Sequence, residues 1–252
     1  MTNSDSGEKI IPEILRSIAA AYRWDGFAAQ AIEAPKIEPA VLAARAGRYQ
    51  ISSDNVLTLT IKGTALEARL SLHTPFELLP ASAEEFLRRD EEIRYRFTRD
   101  SEGRDEVAIA PSGGEMLIAR RVSESVRVPA DDLEKGRFAE AVAAYRRLHD
   151  ANPSDPSVAE ARLNGIGYAF LTHGEKKGAI ALFRLNTELY PGSANTYDSL
   201  AEAHMMAGDR KQAITLYRKA LETLPRDKAP EALKESMRAN ALEKLKELET
   251  EK

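Results

Sequence analysis

Apolar residues recur along this chain with two different periods, and the change between them divides it. Over residues 9–24, Ile10, Ile11, Ile14, Leu15, Ile18, Ala19 and Tyr22 return every three or four positions. That spacing predicts an amphipathic helix, and Pro12 suits its first turn. A linker holding Pro35 and Pro39 follows, then a short Ala-rich helix from about Ala40 to Ala46. From Arg48 to Val122 the period becomes two. Tyr49–Ile51, Val56–Ile61, Ala65–Leu70 and Phe76–Leu79 read as strands, as do Glu85–Leu87, Ile93–Thr98, Glu106–Ala110 and Met116–Val122. Turns of the types Ser-Asp-Asn, Lys-Gly-Thr, Asp-Ser-Glu-Gly and Ser-Gly-Gly separate them. About eight antiparallel strands at roughly ten-residue spacing predict a small up-and-down barrel or a strongly curved sheet. The Arg-bearing face of Ile93–Thr98 is expected to meet solvent on an edge or half-buried strand.

From Pro129 onward the helical period returns, and it repeats. Asn164–Pro191 and Asp198–Pro225 are the same helical hairpin written twice, with closing prolines 34 residues apart. That is the tetratricopeptide period. Leu163, Ile166, Gly167 and Phe170 match Tyr197, Leu200, Ala201 and His204; Gly174, Ala179 and Phe183 match Gly208, Ala213 and Tyr217. Small residues at Gly167, Ala201, Ala179 and Ala213 let paired helices approach, and Phe170, Phe183 and Tyr217 fill the gaps. Gly174 and Gly208 are placed to end each first helix. Gly136, Ala141, Tyr145 and Pro153 mark a third, partial copy, offset by four extra residues, with Asp131 and Asp132 expected to cap its start. A charged terminal helix, Pro230–Leu248, carries Leu233, Met237, Ala241 and Leu245 on one side, as a cap to such a stack must. The expected fold is therefore α+β and multidomain, a small antiparallel β-barrel followed by an α-helical tetratricopeptide solenoid.

Composition narrows the function. The chain has 252 residues, a net charge of −4 and no cysteine. There is no basic stripe for nucleic acid, and disulfides, thiolate chemistry and Cys-based zinc sites are excluded. No apolar run approaches a membrane span, and the first residues are not a signal peptide, so the expected compartment of the chain as written is cytoplasmic. His73, His149, His173 and His204 show no paired metal spacing, and no cofactor is expected. Glu84/Glu85, Glu91/Glu92 and Asp131/Asp132 read as capping or solvated pairs, Asn186 as a hydrogen-bonding core polar residue, and Gly113-Gly114 as a hairpin turn.

Three unrelated pieces then occur in a familiar order. Met1-Thr-Asn-Ser-Asp-Ser-Gly7, Ile11-Pro-Glu-Ile-Leu-Arg16 and Tyr22-Arg-Trp-Asp-Gly-Phe27 resemble the end of serine hydrolases related to class C β-lactamases and penicillin-binding proteins. Ala46-Gly-Arg-Tyr49, Leu57-Thr-Leu-Thr60 and Phe76-Glu-Leu-Leu-Pro80 resemble the lipocalin-like β-domain that often follows. Leu163-Asn-Gly-Ile-Gly-Tyr168, Phe183-Arg-Leu-Asn186 and Asn195-Thr-Tyr-Asp-Ser-Leu200 resemble the tetratricopeptide tails of some members. The resemblance implies three regions: residues 1–34, a remnant hydrolase helix with its linker; 40–124, a lipocalin-like β-domain; and 129–252, about two and a half repeats with a capping helix. It implies the C-terminal remainder of a hydrolase, begun at an internal methionine.

The catalytic motifs of that family are missing. No Tyr is followed two residues later by Asn, and neither Lys-Thr-Gly nor His-x-Gly occurs. Ser6-Gly-Glu-Lys9 matches Ser-x-x-Lys, a match expected by chance in this length, and it lies where the family has no nucleophile. The chain alone is expected to be non-catalytic, an accessory interaction region. The alternative is a piece of an active serine hydrolase whose catalytic domain lies on an upstream polypeptide. A barrel binding a small apolar ligand is a third reading.

The candidate binding groove lies along the first helices of the repeats. Asn164, Tyr168 and Leu171, with Ala161, and then Asn195, Asp198, Glu202 and Met205 occupy the positions expected to face it. Asp198 and Glu202 disfavour a carboxylate-capturing groove and match a neutral or basic segment of a protein or peptide. The groove could also hold the parent's own hydrolase domain, the chain's β-domain or its terminal helix. The apolar stripe of the N-terminal helix is expected to support self-association or to leave the helix loosely ordered, since the linker with Pro35 and Pro39 separates it from the β-domain.

Overall fold

The computed structural model of the protein describes residues 7–22, 24, 35–88, 91, 93–111 and 114–250. Ser6 and the rest of Met1–Ser6, Arg23, Asp25–Phe27, Glu92 and Gly113 lie outside the described residues, as do the side chains of Lys9, Ile10 and Ile11. The first helix, α1, runs Gly7–Tyr22, and α2 runs Pro39–Arg45.

Alternating residues close the β-region on itself. Strands β1 (Gly47–Ser52), β2 (Asn55–Lys62), β3 (Ala65–Leu70), β4 (Phe76–Pro80), β5 (Glu85–Arg88), β6 (Ile93–Arg99), β7 (Asp105–Pro111) and β8 (Leu117–Val122) form a closed antiparallel barrel in sequence order. β8 returns to β1, with Tyr49 opposite Arg121. Closure removes the free edge, so of the two expected settings β6 takes the half-buried one, with Arg94 and Arg96 on the solvent face paired with Glu85. The inward set includes Tyr49, Leu57, Leu59, Leu66, Leu78, Phe86, Tyr95, Phe97 and Val107, each at most 3% exposed. Phe97 meets Phe86 and Tyr49 edge-on, with ring centroids 5.5 and 6.1 Å apart. Large side chains thus fill the interior. Leu42 of α2 joins this core, and Tyr49 Oη donates to the Arg45 carbonyl at 2.9 Å, which holds the short helix to the barrel.

The helical half begins with α3 (Pro129–Glu134) and α4 (Phe138–Ala151). The third copy is therefore a pair after all, with a first helix only six residues long. Such a short helix carries too little period to be read from its apolar residues. Then come α5 (Glu160–Thr172), α6 (Lys176–Leu189), α7 (Ala194–Met206), α8 (Arg210–Thr223) and α9 (Glu231–Thr250). Each first helix ends the same way. Gly174 and Gly208 both have φ +82°, the left-handed conformation glycine adopts cheaply. The next residue's N–H then reaches back to the third-last helical carbonyl: Glu175 to Phe170 and Asp209 to His204, each at 2.9 Å.

Packing follows the repeat. A first core joins Leu133, Ala141, Tyr145, Leu163, Ile166 and Leu182. A second joins Leu171, Ala179, Phe183, Leu200 and Ala203. A third joins Ala201, Ala213 and Tyr217 to Ala241, Leu245 and Leu248 of α9, so α9 covers the last repeat. Leu233, expected on that buried side, is 51% exposed, and Leu248 takes the packing role instead. The four extra residues of the third copy build a 3-10 turn, Pro156–Val158, capped by Asp155, whose carboxylate accepts from Ser157 N–H at 2.8 Å. The same carboxylate accepts from Ser53 Oγ of the barrel at 2.6 Å.

Candidate functional site

The groove residues are held by α5 and α7, the first helices of the two full repeats. Residues four apart share a helix face, so Asn164 and Tyr168 line up on α5, and Asp198 and Glu202 on α7. Tyr168 bridges the two helices: its hydroxyl donates to Glu202 Oε2 at 2.7 Å and lies 3.3 Å from Ser199 Oγ. Burial pushes the Tyr168 phenol well above its ordinary range, and the Glu202 charge pushes the same way, so it stays a neutral donor. Asn195 donates to Glu160 Oε1 at 3.1 Å. Asp198 faces α9, where Asn240 Nδ2 lies 3.3 and 3.4 Å from its two oxygens.

Asp198 is the unusual group. Burial, aided by the Glu202 charge and opposed by Asn240, pushes its carboxyl up to about 6. Among the described residues no Lys or Arg comes within ion-pair distance of Asp198 or Glu202; their bonded partners are neutral. This face is therefore acidic and only partly compensated.

Two groove positions behave differently. Leu171 is 4% exposed and packs in the second core, so it does not line the groove. It sits at the last turn of α5, where the chain folds back and the following helix covers it. Met205, its counterpart, is half-buried against the Tyr217 core. Asn164 is half-buried, with its Oδ1 unpaired among the described residues. Asn186 is fully buried and donates to the Glu160 carbonyl at 3.1 Å, holding α6 to the start of α5. His204 is a buried packing residue, with Nδ1 3.3 Å from an Asp209 oxygen.

The residues that join barrel to repeats were not legible as a site. Asp54, at the β1–β2 turn, is 1% exposed. It accepts from Ser52 Oγ at 2.7 Å, from Tyr145 Oη at 3.2 Å, and from Arg162 Nη2 and Nε at 3.0 and 3.1 Å. Around it, Arg48 holds both oxygens of Asp131 at 2.8 and 3.1 Å, and Arg69 pairs with Glu134 at 2.7 Å. Val56, Val128 and Ala130 form an apolar patch beside them, against which Leu72 packs. Ser-Asp-Asn reads locally as a turn, and nothing in its own period shows that a helix lies above it. Asp132 is also clamped, by Arg127 and Arg137. Burial would raise its carboxyl, and the two guanidiniums outweigh that and hold it below the usual range.

Among the described residues no three His, Asp or Glu side chains converge as metal ligands, and no helix is long and apolar enough to cross a membrane. No protein-family model matches the chain, and no curated protein matches it. Among solved structures, the crystal structure of MamA is similar over 39% of this chain, at 23% identity and a TM-score of 0.26. The chain spans 55% of that MamA chain. The first TPR of Spaghetti (RPAP3), bound to the HSP90 peptide SRMEEVD, is similar over 48% of this chain and 84% of that one, at 18% identity and a TM-score of 0.30. Scores this low carry no argument about the architecture. The tetratricopeptide character of the chain rests on its own paired helices and their 34-residue period.

Proposed function

We propose that this chain is a non-catalytic interaction region that holds a neutral or basic segment of a partner protein on the face shared by α5 and α7. The observation that carries the reading is the pair Asp198 and Glu202, half-buried on one helix face with no cation bonded to either among the described residues. A partner's Lys or Arg would supply the missing charge. An immobilised library of random dodecapeptides, probed with the full chain, tests this. Basic peptides should be enriched, and Asp198→Asn with Glu202→Gln should weaken their capture several-fold. No saturable capture, or capture indifferent to that pair, would overturn the reading.

The resemblance supports a finer proposal, that the region serves a serine hydrolase related to class C β-lactamases, with a lipocalin-like barrel between catalytic and repeat parts. The order of the three pieces supports it, and the missing Tyr-x-Asn and Lys-Thr-Gly or His-x-Gly motifs support the absence of catalysis in this chain. Incubation with a penicillin and with a fluorophosphonate should leave its mass unchanged. Stoichiometric labelling of Ser6, abolished by Lys9→Ala, would show instead an active piece of such an enzyme.

A further inference from the structure

A cavity of about 350 Å³ lies where the turn after β3 meets α5. Leu72, Ile166 and Phe170 give it an apolar part, and His73, His173, Glu175 and Arg162 a polar part. Three independent features mark it as a built site.

The first is Gly165, which lines the cavity mid-helix. Glycine there costs about 1 kcal/mol relative to alanine. Close packing does not require it, because a Cβ at Gly165 would meet no atom within 4 Å. Two residues on, Gly167 is required by packing, since its Cβ would lie 2.5 Å from the Phe183 ring. What the bare backbone at Gly165 leaves open is the cavity. The second is Leu72 on the opposite wall. Its φ is +65°, the one left-handed non-glycine among the described residues. Such strain collects where a surface is held in a set shape. Here Glu134 Oε1 fixes it, accepting from Leu72 N–H at 2.8 Å.

The third feature is the hydrogen bonding of the two histidines. His73 Nδ1 lies 2.8 Å from the Ser71 carbonyl, and His173 Nδ1 lies 2.7 Å from the Ala169 carbonyl. A carbonyl only accepts, so both Nδ1 atoms donate, and each Nε2 is left for a partner from outside the chain. No described residue bonds either Nε2. The charge of Arg162 is already answered by Asp54, and Glu175 bonds no cation among the described residues. The exposed Glu175 carboxylate thus gives the polar part of the cavity a charge that a cation can answer, with two imidazole rings beside it.

We infer that this cavity takes one large apolar side chain of a partner segment together with an adjacent Lys or Arg. Its volume lies at the small end for ligand sites, which suits an anchoring side chain and its neighbour rather than a cofactor. The inference deepens the proposed function and rests on it: the junction supplies the anchor, and the acidic face of α7 holds the rest of a basic segment.

The test titrates two blocked dipeptides, acetyl-Leu-Lys-amide and acetyl-Leu-Glu-amide, into the 15N-labelled full chain at millimolar concentration. The Leu-Lys probe should give saturable shifts at Leu72, His73, Gly165 and Ala169, and the Leu-Glu probe should bind about threefold more weakly. Gly165→Leu fills the cavity and should weaken binding about tenfold or more, with the remaining resonances in place. His173→Ala, at an exposed position, gives a second variant and should weaken the Leu-Lys probe a few-fold. Absence of saturable shifts at these residues, equal or tighter binding of Leu-Glu, or full binding by both variants would overturn the inference. Peptide capture that still depends on Asp198 while both dipeptides stay silent would overturn this site and leave the proposed function standing.

Discussion

Gly165 and Gly167 lie on one helix and should answer the same substitution with opposite sign. Gly165→Ala meets nothing within 4 Å and removes the conformational freedom of a mid-helix glycine, so it should stabilise the protein by about 0.5–1 kcal/mol. Gly167→Ala drives a methyl into Phe183, a fully buried ring 5.0 Å from the Tyr168 ring centroid, and should cost about 1–3 kcal/mol. Urea unfolding of both variants checks the pair. Asp198 gives a second residue-level outcome. Its folded carboxyl titrates near 6, above its ordinary value of 3.8, so between those values the folded state binds the extra proton. The stability it contributes is therefore present below pH 4 and is lost as pH rises through 6. Asp198→Asn should stabilise the protein at pH 7.5 by on the order of 1–3 kcal/mol and do little at pH 4. Comparing wild type with variant cancels the acid loss from clamped carboxylates such as Asp132. A difference that stays flat with pH would show that Asp198 is solvated.

At the scale of elements, strands and repeats were legible because each carries its period in its own residues. Leu57, Leu59 and the turn beside them define β2 without reference to the rest of the chain. Gly167 and Phe183 declare their contact by matching Ala201 and Tyr217 one period later. What could not be read is contact between elements of different period. Asp54 sits in a turn that sequence reads as solvent, yet it is 1% exposed beneath Tyr145 and Arg162, residues 91 and 108 positions away. Leu171 failed for a related reason, since helical spacing alone does not tell which helix covers the last turn. The junction yields its own prediction. Asp54→Ala leaves a buried Tyr145 hydroxyl unpaired and releases Arg162. The cost should be roughly 2–4 kcal/mol, below that of a fully buried pair because Arg162 keeps access to water. Asp54→Asn, whose one amide oxygen can still accept from Tyr145 while its NH2 donates to Ser52 Oγ, should cost less. If the alanine variant unfolds with wild-type midpoint and slope, the network contributes nothing to docking.

For the whole molecule, the question is which parts share one cooperative unit. Barrel and repeats are tied by Asp54, by Arg48 with Asp131 and by Leu72, which packs against both the junction patch and the first repeat core. They should melt together. Among the described residues α1 shares no core cluster with them. Ile14, Leu15, Ile18, Tyr22 and Trp24 are 37–72% exposed, and on this helix Ala19 is the buried side chain among those described. Each large apolar side chain left in water forgoes about 1.5–3 kcal/mol of burial, so the face gains by meeting a second surface. Deleting residues 1–34 should change the stability of the remaining chain by less than about 0.5 kcal/mol. It should also reduce the concentration-dependent association expected of the intact chain in sedimentation velocity. Trp24 is the single tryptophan, so its emission should move to shorter wavelength as the intact chain is concentrated. A large loss of stability on deletion, with the chain monomeric throughout, would show that α1 packs on the barrel or the repeats, and that its apolar face is not the associating surface.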